Sequence, residues 1–497
     1  MIGRHVKARY EKEYVGQWKF EWLPRPLDGI LYYDDDKRTL TLRVRSFLER
    51  GAQEYKIDPE LFRKHYYDAG VIVGNVRFGG AIVLSGTRAV RSGSCQGRGG
   101  HIFEFEISAK YAFRDYRIGV CKDIKLKCAR VDFGEILGWT RTSAYEIEKL
   151  ERRGPYDWPM AHRWVSAGIF GCSFALPNGG KVSFTPYASH PGTVLTSKIV
   201  SYTQGVNTDF RYKSSKGWDV VKSDIELIRH LIEFATTGLV GVEGGSFFQA
   251  RDKAIASTFE PDDYKQIIFG DRIVGKTQDQ DALNYVFTLP ELLAMIKHCK
   301  RSWRRRFEST RVALKLFDEI IRIDPDEQER RFVCWVQLLE HLHSLIYTDK
   351  TKPYYRRMVE VWGDSTQLFN EEKARLCGTY EPSRPNLKMR IYEMLRINGR
   401  WLVDNPIGKD GIAFAETVAN TRHYFTHHNL ADKPKSFDEA KVESVSEFLK
   451  QLVRFHILKV LGFSENFALR RMGWNKESSR ELFALKHTPI GKEKINV

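Results

Sequence analysis

The sequence lacks the features that would send a chain out of the cell or into a membrane. Its 497 residues hold seven cysteines, at 95, 121, 128, 172, 299, 334 and 377, with no CxxC pair and an odd total. That argues against a zinc finger and a disulfide framework, and points to a reducing, cytoplasmic setting. The opening MIGRHVKARYEKEYVGQWKF has no apolar core of the kind a signal peptide needs. No run nears the roughly 20 apolar residues of a membrane span. The richest, AGVIVGNVRFGGAIVLSG, is cut by Asn75 and Arg77 and reads as two short strands, so no membrane partner is expected. Internal repeats and low-complexity tracts are also missing. His341 and His343 lie two apart on a predicted helix and so face different ways, which leaves no metal-ligand cluster; the expectation is no metal and no cofactor.

What is present is positive charge. Lys and Arg number 79 against 63 Asp and Glu, giving 79 − 63 = +16. With a pI near 9.3, that excess favours an anionic partner, RNA first among them. Hydrophobic residues make up 42% and aromatics 13%, a globular composition with enough apolar material for about two to four domains.

Two kinds of periodicity divide the chain. TLTLRVRSF (39–47), HIFEFEIS (101–108) and DIKLKCARVDF (123–133) alternate apolar and polar residues, as half-buried antiparallel strands do. Turns are expected at Asp34-Asp35-Asp36, at GSCQGRGG (93–100) and at PNGG (177–180). A helix is predicted in SDIELIRHLIEFATT, starting at Ser223. From Pro290 to about Gly462 the spacing becomes helical throughout. Predicted helices are 289–307, 311–323, 327–347, 387–403, 412–428 and 445–461, with prolines at 325, 353, 382, 385 and 406 between them. The fold class is α+β and multidomain. It comprises a β-rich region (1–215), a mixed connection (216–305), an all-helical domain (306–462) and a basic tail (463–497) with a short amphipathic piece near Leu482.

Three segments carry candidate chemistry. GDRIVGKT (270–277), preceded by KQIIF, fits the phosphate-loop pattern. Its variable positions count against that role. Asp271 would aim negative charge at a phosphate, Ile273 and Val274 are stiff, and no apolar strand ending in Asp offers a magnesium ligand. A strand–turn–strand is the competing assignment. In KHCKRSWRRRF (297–307), Lys297, Lys300, Arg301, Arg304, Arg305 and Arg306 surround Trp303. Such a segment suits phosphate contact with base stacking, or else a solvated helix face.

The third is TRHYFTHHN (421–429), with one arginine and three histidines between 422 and 428. On a helical wheel Phe414, Ala415, Val418, Ala419 and Phe425 form one side, and Arg422 falls in its middle. Glu416, Asn420, His423 and His427 fall on the other. The positions three and four from Arg422 are Val418, Ala419, Phe425 and Thr426, so no local acid pairs with it. The guanidinium must meet a distant carboxylate, snorkel to water, or serve an anion or a partner surface.

Arg422, then His423, three residues and His427 near a helix end resemble the HEPN ribonuclease motif. FVCWVQLLEHLHSLIY and the run from YEMLRINGRWLV through VANTRHYFTHHN resemble the ApeA-like branch of HEPN proteins of bacterial antiphage defence. VGQWKFEWLPRPLDGILYYDDDKRTLTLRVRSF (15–47) resembles the β-rich N-terminal domain that accompanies it. The resemblance spans most of the chain and is weakest over 216–305 and in the tail. It implies a HEPN helical bundle and a metal-independent endoribonuclease of the abortive-infection type. Such an enzyme attacks with the RNA 2′-OH and leaves a 2′,3′-cyclic phosphate, with tRNA or another structured RNA as target and an unknown phage-derived trigger. It also implies a homodimer joined through the HEPN domain. Arg422 and His427 would be catalytic and His423 supporting. His428 departs from the pattern and offers a second register. Two other classes stay open: a non-catalytic RNA-binding or regulatory HEPN protein, and a nucleotide-binding enzyme using 270–277.

Overall fold

The computed structural model describes residues 11–34 (24 aside), 39–49, 70–77, 80–97, 100–114, 124–141 (135 aside), 145–149, 160–164, 172–188, 204–248 (243 aside), 265–269, 285–347, 385–401 (398–399 aside), 409–428 and 433–472. The chain divides into two compact units. One holds residues 1–232 and 238–283, the other 233–237 and 284–497.

The first unit is built on a 14-stranded antiparallel sheet. From one edge to the other its strands are Cys172–Ala175, Lys181–Ala188, Gln204–Gly217, Lys125–Asp132, Gly244–Phe248, Lys265–Phe269, Tyr111–Arg114, Gly80–Ser85, Ile72–Val76, Glu11–Phe20, Leu27–Asp34, Thr39–Glu49, Gly100–Ala109 and Arg88–Gly97. The alternation of TLTLRV is realised: Leu40, Leu42 and Val44 are buried. Leu42 pairs with Leu31 on one neighbour and Ile107 on the other, which places three buried aliphatics in one row. Trp18 fills the centre of this core, with its Nε1 donating to the Gly29 carbonyl at 3.1 Å. Gly74 is required opposite it, since a Cβ there would lie 2.3 Å from the indole.

Ile72–Val76 and Gly80–Ser85 pair as the two short strands expected, and PNGG turns between Cys172–Ala175 and Lys181–Ala188. The expected loop at 93–100 is mostly strand. Pairing continues to Gly97 opposite Gly100, because the glycine-rich stretch serves a tight hairpin. Helix α1 runs Trp218–Thr236, five residues earlier than its Ser223 start in the sequence reading. The strand before it ends at Gly217, and the Trp218 N–H bonds the Ile124 carbonyl at 2.8 Å, so no loop or cap marks the junction. Two strands within the supposed connecting region, Gly244–Phe248 and Lys265–Phe269, belong to the main sheet. KQIIF is one of them; the whole 270–277 loop that follows it lies outside the described residues.

The second unit is helical: α2 (Leu289–His298), α3 (Trp303–Ile321), α4 (Gln328–Ile346), α5 (Leu387–Met394), α6 (Lys409–His427), α7 (Glu439–Leu461) and α8 (Glu465–Arg471). The Thr288 capping box starts α2, with the Thr288 N–H donating to Glu291 Oε2 at 2.8 Å. Asp438 caps α7, whose end is closed by Gly462 at φ +114°. Arg322 joins Glu233 at 2.6 Å and Asp318 at 2.8 Å, a partly buried ion triad.

Three expectations change here. The predicted 289–307 helix breaks at 299–302, where the N–H groups of Ser302 and Trp303 both bond the Cys299 carbonyl. Apolar spacing through Leu292, Met295, Trp303 and Phe307 runs straight across the break and hides it from periodicity. The predicted 387–403 helix stops at Met394, and Arg396–Ile397 pairs with Arg400–Trp401. The sequence between them is Asn-Gly, the pair that two-residue hairpins favour. In the stretch read as tail, α8 folds back, with Phe467 stacked on Phe463 at 4.8 Å and Glu465 bound to Lys459 at 2.8 Å. Residues beyond 472, including the piece near Leu482, lie outside the described residues.

Candidate active site

Helix α6 presents the motif. Phe414, Ala415, Val418 and Ala419 are buried, and Phe425 meets Phe332 of α4 edge-on at 5.8 Å. Arg422 shares this apolar side and is half-buried. Its Nε is buried and has no hydrogen-bond partner among the described residues. His423 and His427 are exposed one turn apart, with ring centroids 5.3 Å from each other. The helix stays regular through His427. His428 then adopts φ +50°, and its N–H bonds the Tyr424 carbonyl at 2.7 Å, which closes the helix end. The His428 ring sits edge-on to Tyr424 at 6.5 Å, apart from the His423–His427 pair.

Two residues that periodicity did not single out hold this end in place. Thr421 is fully buried; its Oγ1 donates to the Thr417 carbonyl at 2.8 Å and accepts from the Phe437 N–H at 2.9 Å. That bond ties the chain leaving α6 back onto it. A 3-10 turn at Lys433–Lys435 brings the Lys433 Nζ 5.9 Å from the Tyr424 ring. A threonine side chain bonding across sixteen residues carries no periodic signal.

This helical end sits in a chain whose β-rich and helical halves both have matches. Residues 13–294 match ApeA N-terminal domain 1, and residues 334–467 match the Apea-like HEPN domain. The chain belongs to the ApeA-like HEPN family. No curated protein and no solved structure matches it. HEPN domains are generally nucleases, and the ApeA-like branch is a family of antiphage defence. HEPN domains also typically bind RNA and dimerise. Among the described residues no helix is long and apolar enough to cross a membrane.

In this ApeA-like HEPN protein the basic segment does not join the motif. Arg306 donates from Nη1 to the Val460 carbonyl at 3.3 Å, at the C-terminal end of α7. Thr421 meets Phe437, just before α7 begins. The 23 residues of α7, about 34 Å long, therefore separate the two groups. Lys297, Lys300, Arg301, Arg304 and Arg305 are exposed, as a phosphate-contacting face requires. Trp303 is not available for base stacking. It is buried and stacks on Phe307 at 4.7 Å, because the segment's apolar positions face the bundle core. His343 is buried with its Nε2 2.5 Å from Glu393 Oε2, while His341 has an Nε2 without a partner among the described residues. Cys128, Cys172, Cys299 and Cys334 are free thiols.

Proposed function

We propose that this chain is an antiphage-defence endoribonuclease of the abortive-infection type, metal-independent, cutting tRNA or another structured RNA in the cytoplasm. The nuclease is assigned to 306–462, and sensing of a phage-derived trigger, or restraint of the nuclease, to 1–215. In the reaction a histidine takes the proton of the 2′-OH as its oxygen bonds to the adjacent phosphorus. The bond from phosphorus to the 5′-oxygen breaks, and that oxygen receives a proton. One fragment ends in a 2′,3′-cyclic phosphate and the other begins with a 5′-OH. His427 suits the proton transfers, because an imidazole can both take and give a proton. Arg422 suits the phosphate oxygens, which its fork can hold in two places as charge builds on them. His423 orients the pair, and His428 is the alternative proton carrier.

The observation that supports this reading best is the half-buried Arg422 with its unpartnered Nε, on one unbroken helix with exposed His423 and His427. Residues five apart on a helix are about 140° apart and about 7.5 Å along the axis. One chain therefore does not aim both at one phosphate, and a homodimer through α6 supplies the missing partner. The apolar side around Arg422 is the contact face.

The test is sequencing of RNA ends, with detection of cyclic phosphates, from cells expressing the wild type or His427→Ala. Discrete cyclic-phosphate ends that vanish in the variant support the reading. Identical ends in both strains count against it.

A further inference from the structure

A second group of cations lies away from the motif, and its charges outnumber its acids. On α7, Glu447, Lys450 and Arg454 follow at spacings of three and four, so they share one helical face. Arg454 is only 9% exposed, and its guanidinium lies 5.8 Å from the Phe317 ring of α3. Its Nε has no hydrogen-bond partner among the described residues, and neither has the buried Nε of Arg331 in the first turn of α4. Glu447 is already engaged: it accepts from Lys450 Nζ at 2.9 Å and from Gln451 Nε2 at 2.8 Å, one bond on each oxygen. Lys450 and Arg454 thus share one carboxylate.

Burial pulls the Arg454 guanidinium down to about 10, with Glu447 opposing. Burial, then the Arg454 charge, pushes the Lys450 ammonium below its ordinary value, with Arg331 adding to the effect and Glu447 opposing it. Arg454, at about 10, remains a cation at neutral pH. Folding gains little by burying a guanidinium whose Nε has no acceptor, since the same volume filled by an apolar side chain is commonly as stable or more so. The arrangement makes sense when an anion supplies the acceptors. The site opens to solvent through Glu447, with a half-exposed side chain, and the less exposed Lys450. On α4, Arg331 precedes Phe332, whose ring meets Phe425 of the motif helix.

We infer that Arg454, Lys450 and Arg331 form a second anion site, which takes a phosphate of the bound RNA. The anion class rests on the unpartnered Nε atoms of Arg454 and Arg331; its identity as an RNA phosphate rests on the ribonuclease reading. Arg454 is a binding residue here and has no part in the proton transfers.

The experiment uses the full chain as wild type, Arg454→Met and Lys450→Gln. Thermal melting is followed in inorganic phosphate and in chloride at matched ionic strength. Phosphate is expected to raise the wild-type melting temperature, and the rise should vanish in Arg454→Met and shrink in Lys450→Gln. In chloride Arg454→Met should melt at or above the wild type. Affinity for a 2′-O-methyl RNA, which cannot be cut, should fall about tenfold in either variant, with a flatter salt dependence. An Arg454→Met protein that melts lower in chloride, with Lys450→Gln keeping the full phosphate response, overturns the site. If Arg454→Met does not fold, the Lys450→Gln response decides alone. The two readings separate cleanly. A phosphate response lost in the variants, in a protein that cuts no RNA, keeps the anion site and removes the nuclease. Cleavage by the wild type, with variants of unchanged phosphate response and RNA affinity, does the reverse.

Discussion

Arg422 and His427 stand five residues apart on one unbroken helix, the first half-buried on its apolar side and the second exposed, about 140° round the axis. Their side chains diverge, so chemistry that needs both calls for more than this single surface.

Arg422→Ala and His427→Ala should each abolish RNA cleavage and any cellular toxicity, with the fold intact by circular dichroism. His423→Ala should be milder, as expected of an orienting group. His428 caps the helix in a left-handed conformation, so His428→Gly should preserve the fold at little conformational cost. Loss of cleavage in that variant, with His427→Ala retaining it, would move the proton carrier to His428.

Mixing should rescue activity if each cleft draws its arginine and histidine from different chains. Arg422→Ala and His427→Ala proteins, each inactive alone, would then form heterodimers with one intact cleft. No rescue means that a cleft needs both copies of one residue. Sedimentation of the active species decides between this and a self-sufficient chain. Activity in a monomer of 57.7 kDa would falsify the shared cleft whatever the mixing result.

The basic segment should separate into two behaviours. Arg304→Gln with Arg305→Gln removes exposed charge and should weaken RNA binding and reduce the salt slope by about one to two. An unchanged slope would make these residues a solvated face. Arg306→Gln should act on stability instead, because its guanidinium caps the Val460 carbonyl. Chemical denaturation should register a loss of about 0.5–1.5 kcal/mol.

Acid should destabilise the helical unit through His456. This histidine is buried, its Nε2 bonded to the Met394 carbonyl at 2.7 Å, and burial lowers it to about 4 from an ordinary 6.5. The Met394 bond opposes that shift, and the Lys459 and His343 charges add to it. The unfolded chain therefore binds the proton more readily. The neutral ring's contribution is complete above about pH 6.5 and is lost as pH falls from there toward 4. The loss amounts to roughly 3 kcal/mol at most. Stability against pH for the wild type and His456→Gln should diverge in that window. Parallel curves would show that the group does not control it.

Much of the architecture was legible because burial imposes a period on residue type. Leu40, Leu42 and Val44 alternate with polar neighbours, and they are buried on one face of the sheet. The wheel of α6 placed Arg422 among Phe414, Ala415, Val418 and Ala419, and those four are buried. Junctions were less legible. The break at 299–302 preserves the helical phase, and α1 starts directly from a strand, so neither changes the pattern that periodicity reads.

Sequence by itself determined the strand-rich and helical halves, the ApeA-like HEPN membership and the unpaired arginine of the motif, since each depends on residue type at local spacing. Tertiary structure decided what those residues face. It buried Trp303 against Phe307, set Arg306 on the Val460 carbonyl and tied Thr421 to Phe437. It also packed α4, which carries Arg331, against α7, which carries Lys450 and Arg454 more than a hundred residues further along the chain. Such relationships arise from packing between segments distant in sequence, where no local period records which side chains will meet.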